Sequence, residues 1–488
     1  MASTISFLLD GRTTTVEFGH SSIYSPTTTV LNYLRSLPEH KGVKEGCGQG
    51  DCGACTVVLA EAGPAGRLLY RSVDSCLVFL PMLHRKQLIT VENLRHPNGD
   101  LHPVQRALVD LHGSQCGFCT PGIVMSLFAL YKNHPRPDRT TIEDAFAGNL
   151  CRCTGYQPII AAAQRACAEG NADQFNKGEE ATLALLNSIP RDSLRLESAE
   201  TMYYRPAALS EALALKANHP AGIVVTGGTD IALRVTKNHD VLPEVIDLSA
   251  LDEMKLIAED AFSISIGAGA PLNDVMPRIH DVFPSLHRML SVFGSQQIRN
   301  MATFGGNLGT ASPIGDALPV LVALGTTVEL SSITGSRRVP MQHYFTGYRT
   351  TVRRPDEIVT AVILPKPASN LITRSYKISK RRELDISTVS GGFSLRLNER
   401  REVESIVLAF GGMADRVKRA ETVENFLAGR KWNRETVDEA SSLIERECNP
   451  ISDARASAEM RRIAARNLLL KFWCETEGLE ADVESVVQ

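Results

Sequence analysis

The chain has 488 residues, and 52 Lys and Arg against 55 Asp and Glu leave a formal charge of −3. That length suggests about three domains, and charges mixed along the chain speak against nucleic acid or anionic membrane as a partner. The opening MASTISFLLDGR has no positive leader, and no apolar run approaches the ~20 residues of a membrane span, so a cytoplasmic protein is expected.

TISFLLDGRTTTVEF reads as a hairpin turning at Asp10-Gly11. SPTTTVLNYLRSL reads as a helix capped near Ser25, with Val30, Leu31, Leu34 and Leu37 on one face. Then comes VKEGCGQGDCGACTVVL, which sets Cys47, Cys52 and Cys55 at C-x4-C-x2-C, with Cys76 following at C-x20-C. This is the plant-type ferredoxin spacing for a [2Fe–2S] cluster. Gly46, Gly48, Gly50 and Gly53 suit a loop that must adopt positive φ and bring its N–H groups close to sulfur. The alternatives are zinc, which usually shows two short paired spacings, or buried structural cysteines. TVVL, after the loop, reads as a strand.

HGSQCGFCTPG and AGNLCRCTGYQP place Cys116 and Cys119 at C-x2-C and Cys151 and Cys153 at C-x1-C. Helical stretches surround both pairs: PVQRALVDLH, IVMSLFALYKNH after Pro121-Gly122, TTIEDAFAGNL with Thr141 and Asp144 as a capping box, and PIIAAAQRACA. Spacing leaves zinc and iron–sulfur open here. The neighbouring first set favours iron–sulfur, because a second redox centre extends an electron path. Cys167, Cys448 and Cys474 are scattered, and disulfides do not suit a reducing cytosol.

NADQFNKGEEATLALLNSIPRDS is polar and reads as a linker with a short helix. Beyond it, the strand IVV runs into TGGTD, whose glycines let backbone lie against a ligand. NMATFGGNLGTASPIGDALPVLVALG leads through a second glycine-rich segment into an apolar helix, whose positive end suits phosphate oxygens. The two segments suggest a pyrophosphate-bearing cofactor. GAGAPL, the nearest approach to G-x-G-x-x-G, lacks the third glycine, so a Rossmann domain is not expected. Strands GGFSLRL and ESIVLAFGGMA precede helices around ETVDEASSLIEREC and SAEMRRIAARNLLLKFW, in which Arg461 and Arg462 read as a solvated face in preference to a basic binding spot.

CGQGDCGAC, CGFCTPG and CRCTGY resemble the two [2Fe–2S] motifs of the xanthine dehydrogenase family of molybdenum hydroxylases. IVVTGGTDIA, the second glycine-rich segment, DEIVTAVILP and SYKISKR are similar to its FAD-binding segments. The resemblance implies an α+β multidomain chain. Its parts would be a β-grasp, ferredoxin-like [2Fe–2S] domain over 1–90, an α-helical [2Fe–2S] domain over 91–170, a linker over 171–196, a two-subdomain α/β non-Rossmann FAD-binding domain over 197–372, and a C-terminal α+β flavoprotein domain over 373–488.

Carried over by position, Cys116, Cys119, Cys151 and Cys153 would hold the cluster that receives electrons first. Cys47, Cys52, Cys55 and Cys76 would hold the one beside the flavin. The first FAD loop would be Val224, Val225, Thr226, Gly227, Gly228, Thr229, Asp230 and Ile231. Thr303, Phe304, Gly305, Gly306 and Asn307 would form the second, with Thr310, Ser312, Asp316, Val359 and Lys377 further along and Phe293 near the isoalloxazine ring. Thr303 stands where many relatives have serine, and Leu384-Asp385 where many eukaryotic members carry two acids. No molybdopterin domain is present, so the resemblance implies the iron–sulfur and FAD chain of a two-subunit, bacterial member. Its partner would be a molybdopterin-binding large subunit, two copies of each forming a heterotetramer, with NAD⁺ as electron acceptor and a purine as substrate. The alternatives are the same subunit of an aldehyde-oxidising complex, a stand-alone NADH-dependent electron-transfer flavoprotein, and a zinc-stabilised interaction module.

Overall fold

In the computed structural model, residues 3–479 are described apart from 64, 65, 97, 169 and 171. Residues 480–488, the end of the expected C-terminal domain, and Asn171, the first of the expected linker, lie outside the described residues. The chain divides into two compact units: Met1–Glu253 with Gly294–Gly306, and Met254–Phe293 with Asn307–Gln488. The expected FAD-binding range is thus shared between them. Among the described residues no helix is long and apolar enough to cross a membrane.

In the first unit the hairpin forms where its turn chemistry directs. Strands β1 (Thr4–Leu9) and β2 (Arg12–Glu17) pair antiparallel, and Asp10 (φ 54°) and Gly11 (φ 71°) both take the positive φ that a tight hairpin turn requires. With β3 (Thr56–Ala62), β4 (Leu68–Asp74) and β5 (Gln87–Ile89) they make a sheet of order β2-β1-β5-β3-β4, in which β1 and β5 run parallel. Helix Val30–Ser36 buries Val30, Leu31 and Leu34 against the core. Its cap is Thr29, whose Oγ1 accepts from Asn32 N at 3.2 Å, and not Ser25. Ser25 instead closes its own turn, its N–H donating to Thr28 Oγ1 at 3.0 Å.

Helices Pro103–Asp110, Thr120–Asn133, Arg139–Phe146 and Gln157–Ala168 pack around Ile123, Leu127, Phe128, Ile142 and Ile159. Pro121 lies in the first turn of its helix, where its missing N–H costs nothing. The expected capping box at Thr141 and Asp144 is not formed. Asp138 caps that helix by accepting from Thr141 N at 2.8 Å, and Asp144 accepts from the buried Arg299 at 2.6 Å. Three glycines decide how closely these parts meet. A Cβ on Gly53 would stand 2.5 Å from Asn149 Nδ2, one on Gly122 3.1 Å from the Gly53 carbonyl carbon, and one on Gly148 2.7 Å from Ser295 Cβ. All three lie inside van der Waals contact: at Gly53 and Gly122 backbone touches backbone, and at Gly148 the backbone meets the side chains of Ser295 and Gln297.

The expected linker is fastened down. It forms helices Gln174–Lys177 and Glu179–Ser188, and buried Asp173 ahead of them accepts from His102 Nε2 and Lys132 Nζ, each at 3.0 Å. A carboxylate with a lysine partner and a second hydrogen-bond donor can be buried where an unpaired one could not. Further on, the buried His84 accepts from Ser6 N–H through Nδ1 at 3.1 Å and bonds Pro190 O through Nε2 at 3.1 Å. Burial, with Arg205 and Arg85 nearby, brings its pKa down to about 4. Strands β6 (Leu194–Glu197), β7 (Met202–Arg205), β8 (Ile223–Val225) and β9 (Glu244–Asp247) then form a sheet of order β6-β7-β9-β8, with helices Leu209–Asn218 and Ala232–Thr236 on its crossovers.

The second unit contains two sheets. Strands β10 (Ile257–Glu259), β11 (Ser263–Gly267), β12 (Thr327–Ser332), β13 (Gly335–Pro340) and β16 (Ile358–Pro365) are ordered β10-β11-β16-β12-β13, beside a small ribbon of β14 (Phe345–Gly347) and β15 (Thr350–Thr351). Strands β17 (Ile372–Ile378), β18 (Val389–Leu397), β19 (Val403–Gly411) and β20 (Lys418–Arg419) form an antiparallel meander. Helices Glu421–Leu427, Arg434–Glu447 and Ala458–Thr476 share its core of Phe393, Phe410, Trp432, Ile444 and Phe472. Arg461 is neither solvated nor a binding spot: it is 1% exposed, and its guanidinium donates to Thr388 O, to Gly412 O at 3.3 Å and to Asp453 Oδ1 at 2.8 Å.

Candidate functional site

Strand register places the first cysteine set. Thr56 faces Asp74 across β3 and β4, so Cys55, just before β3, meets Cys76, just after β4, with sulfurs 3.4 Å apart. The Cys47–Cys55 segment is closed by Lys44 N–H donating to Ala54 O at 3.0 Å, and Gly48, Gly50 and Gly53 all have positive φ. Cys47 Sγ accepts N–H from Gln49 and Asp51, each at 3.4 Å. A hydrogen bond from Cys52 brings Cys47 down to about 5, and the same bond pushes Cys52 up. The four sulfurs therefore come together as two pairs, Cys47 with Cys52 and Cys55 with Cys76.

The second set shows the same division. Hydrogen bonds couple Cys116 with Cys153 and Cys119 with Cys151. Gly117 (φ 83°) turns the first pair, and Tyr156 OH receives the Cys151 N–H at 2.7 Å. Cys116 and Cys153 are exposed, whereas Cys55, Cys76 and Cys151 are buried. Among the described residues no three His, Cys, Asp or Glu side chains stand as ligands of one metal ion. Two thiol pairs side by side are what two irons bridged by sulfides require, each iron taking two thiolates. Asp74 lies beside this set: it is buried, its Oδ1 is 3.7 Å from Cys55 Sγ, and burial, with Cys47 nearby, holds its carboxyl well above the usual carboxylate range. Cys167 and Cys448 are buried outside both sets, and burial raises each to about 11, as expected of inert thiols.

In the first unit, Val224–Ile231 begins within β8, runs on past its end, and packs on the segment Met301–Thr303. Thr226 Oγ1 and Thr303 Oγ1 share a hydrogen bond of 2.8 Å, and Thr303 Oγ1 accepts from Gly306 N at 3.0 Å. A Cβ on Gly227 would stand 2.5 Å from the Met301 carbonyl carbon and closer still to its oxygen. Gly228 (φ 77°) lies against Leu77 O, one residue beyond Cys76, and Lys237 Nζ donates to Cys47 O at 3.0 Å. The first candidate flavin loop is thereby braced on the first cysteine set.

In the second unit, Asp316 and Lys377 form a buried pair at 2.7 Å, and Lys377 also donates to Val292 O at 2.8 Å, beside Phe293. Ser387, which the sequence reading passed over, donates to the other Asp316 oxygen at 2.6 Å. No motif marks it; only the fold brings it there. Asn307 carries a buried side-chain oxygen without a partner, which fits a ligand donor not supplied by the chain. Val359 is buried in β16, Thr310 ends helix Phe304–Thr310, and Ser312 Oγ accepts from Ile314 N at 3.4 Å. The helix end offered to phosphate, Ala317–Ala323, has only seven residues, and Asp316 at its N-cap makes no capping bond.

Three comparisons bear on these sites. Residues 90–164 match the family described as a [2Fe-2S] binding domain, 196–367 the FAD binding domain in molybdopterin dehydrogenase, and 374–476 the CO dehydrogenase flavoprotein C-terminal domain. Xanthine dehydrogenase/oxidase of Mus musculus is 33% identical over 499 residues, covering 92% of this chain, while the chain spans 37% of that relative's length. Among solved structures, the reconstituted CO dehydrogenase from Oligotropha carboxidovorans aligns with a TM-score of 0.52 at 25% identity, covering 55% of this chain and 94% of that one. Quinoline 2-oxidoreductase from Pseudomonas putida 86 has the same fold, with a TM-score of 0.52 at 24% identity over 57% of this chain and 96% of that one. With paired thiols, a two-threonine clamp and these domains in one order, the chain belongs to the molybdenum hydroxylase family as an iron–sulfur and FAD electron-transfer chain.

Proposed function

We propose that this chain is the electron-transfer subunit of an NAD⁺-dependent xanthine dehydrogenase. The observation that carries this reading is the 33% identity to a xanthine dehydrogenase/oxidase running through 92% of the chain, across both cysteine sets and both flavin segments. The CO dehydrogenase and quinoline oxidoreductase likenesses cover little more than half of it.

On this reading Cys116, Cys119, Cys151 and Cys153 hold the cluster that takes electrons from a molybdopterin-binding large subunit. Cys47, Cys52, Cys55 and Cys76 hold the one that passes them towards FAD. FAD held by Val224–Ile231 and Thr303–Asn307 would supply the conversion between single electrons and a hydride for NAD⁺. The chain's residues position and insulate. N–H groups of Gln49 and Asp51 reach the Cys47 sulfur, where such bonds tune a cluster's potential, and the Thr226–Thr303 bond holds two flavin loops together. No acid, base or nucleophile of this chain needs to meet the purine. The assembly is a cytoplasmic heterotetramer of two small and two large subunits.

The test is to purify the chain with its large subunit, add xanthine and NAD⁺ without oxygen, and follow NADH by absorbance. Prompt NADH formation supports the reading. A complex holding molybdenum, iron and flavin that ignores xanthine but oxidises an aldehyde or a heteroaromatic ring keeps the relay and overturns the purine.

A further inference from the structure

We propose that Lys237 raises the reduction potential of the cluster held by Cys47, Cys52, Cys55 and Cys76, so that the segment carrying the first flavin loop also sets how readily its neighbouring cluster takes an electron. The inference rests on the reading of those four cysteines as [2Fe–2S] ligands.

The fold delivers this charge. After Ile231 the loop turns directly into helix Ala232–Thr236, and Lys237 is the residue that closes the helix. One end of the stretch is held at Gly228, where a Cβ would stand 3.2 Å from Leu77 O. The helix itself packs on Ser75–Leu77, the short turn that carries Cys76. Its far end sends Lys237 Nζ to Cys47 O at 3.0 Å. The stretch therefore spans both thiol pairs, with its body against the turn of Cys76 and its ammonium on Cys47.

The neighbouring charges are engaged elsewhere or have the other sign. Arg234, on the same helix, pairs with Asp240 at 2.8 Å. Lys44 gives its ammonium to Lys41 O at 2.7 Å. Glu45, Asp51 and Asp74 are acids, and Asp51 accepts from Gln49 Nε2 at 2.7 Å.

A [2Fe–2S] cluster on four thiolates is an anion that becomes more negative on reduction, and its potential follows the charge and hydrogen bonds around it. An ammonium bonded to a ligand residue's own carbonyl favours the reduced form. Lys237 is exposed, so water and salt screen it and the bias is moderate. In the step, this cluster gains one electron and the cluster of Cys116, Cys119, Cys151 and Cys153 loses one; no proton or covalent bond changes partner.

The experiment is a dithionite titration of the full chain with both clusters, following the two electron paramagnetic resonance signals at poised potentials. The signal that Cys47→Ser abolishes belongs to the first cluster. Lys237→Met should lower the reduced-to-oxidised ratio of that cluster about three- to tenfold at a given potential, a downward shift of about 30–60 mV at about 59 mV per tenfold. Lys237→Glu should lower it further, Lys237→Arg should stay near the parent, and the second cluster should keep its midpoint in all three. A parent-like midpoint in Lys237→Met overturns the proposal. Equal shifts in Lys237→Met and Lys237→Glu would also overturn it, because loss of the bond and not of the charge would then be the cause, and so would a shift shared by both clusters. If Lys237→Met does not hold the first cluster, Lys237→Gln decides by the same criteria. A parent protein without two [2Fe–2S] signals would instead overturn the ligand reading itself.

Discussion

Replacing Gly227 by alanine tests the flavin-loop assignment through space alone. Gly227 is not among the positive-φ glycines, so alanine meets no backbone objection there; the obstacle is the Met301 carbonyl, whose carbon would lie 2.5 Å from the new Cβ. Carbonyl backbone cannot swing aside as a side-chain tip can, so the first loop must retreat from Met301–Thr303. Overpacking of this kind costs about 1–3 kcal/mol, and losing the 2.8 Å Thr226–Thr303 bond adds about 0.5–1.5 kcal/mol. If the loop returns to its flavin-holding position only against a total of about 1.5–4.5 kcal/mol, apparent FAD affinity falls roughly 10- to 1,600-fold. Apo-protein is titrated with FAD, following quenching of flavin fluorescence, while iron content and cluster spectra serve as the check that the rest of the unit is intact. Gly309→Ala is the control. Nothing lies within 4 Å of a Cβ there, and the residue sits in helix Phe304–Thr310, so binding should hold and stability rise by up to about 1 kcal/mol. Parent-like FAD affinity in Gly227→Ala would refute the reasoning.

Two further outcomes follow from buried groups. His84 has an ordinary pKa of 6.5 and about 4 when folded, so the unfolded chain binds the extra proton; stability is full above pH 6.5, declines as pH falls from 6.5 towards 4, and is lost to this group entirely below that. The ceiling is about 3 kcal/mol, discounted to about 1–2 kcal/mol for solvent screening, and urea midpoints at pH 7 and 5 should show a slope that His84→Gln flattens. Arg461→Met strips two backbone carbonyls and Asp453 of their donor and should cost about 2–4 kcal/mol in denaturant unfolding, against about 0.5 kcal/mol or less for Arg462→Ala.

Local chemistry was legible and long-range contact was not. The Asp10-Gly11 turn and the cysteine spacings could be read because each is a demand made within a few residues. Ser25 and Thr29 are equally good caps on paper, and the choice went to the one whose helix could bury Val30 and Leu34. Asp144 looked like a cap partner because Arg299, its actual partner, is 155 residues away. The 171–196 segment read as a tether because nothing in its own composition announces that His102 and Lys132 wait for Asp173. Arg461 looked solvated for the same reason: a single arginine in a helix carries no local sign that it faces inward. Ser387 carries no local sign of its role, and only the fold brings it to Asp316.

Gly53 and Gly122 mark places where backbone meets backbone with no side chain between. Surfaces joined that way cannot drift independently over evolutionary time, since a β-carbon gained on one side has to be answered by retreat on another that its own contacts hold in place. The two cysteine-bearing modules are therefore tied to change together, and Gly148, seated on Ser295 and Gln297, ties the second of them to a segment of the flavoprotein part as well.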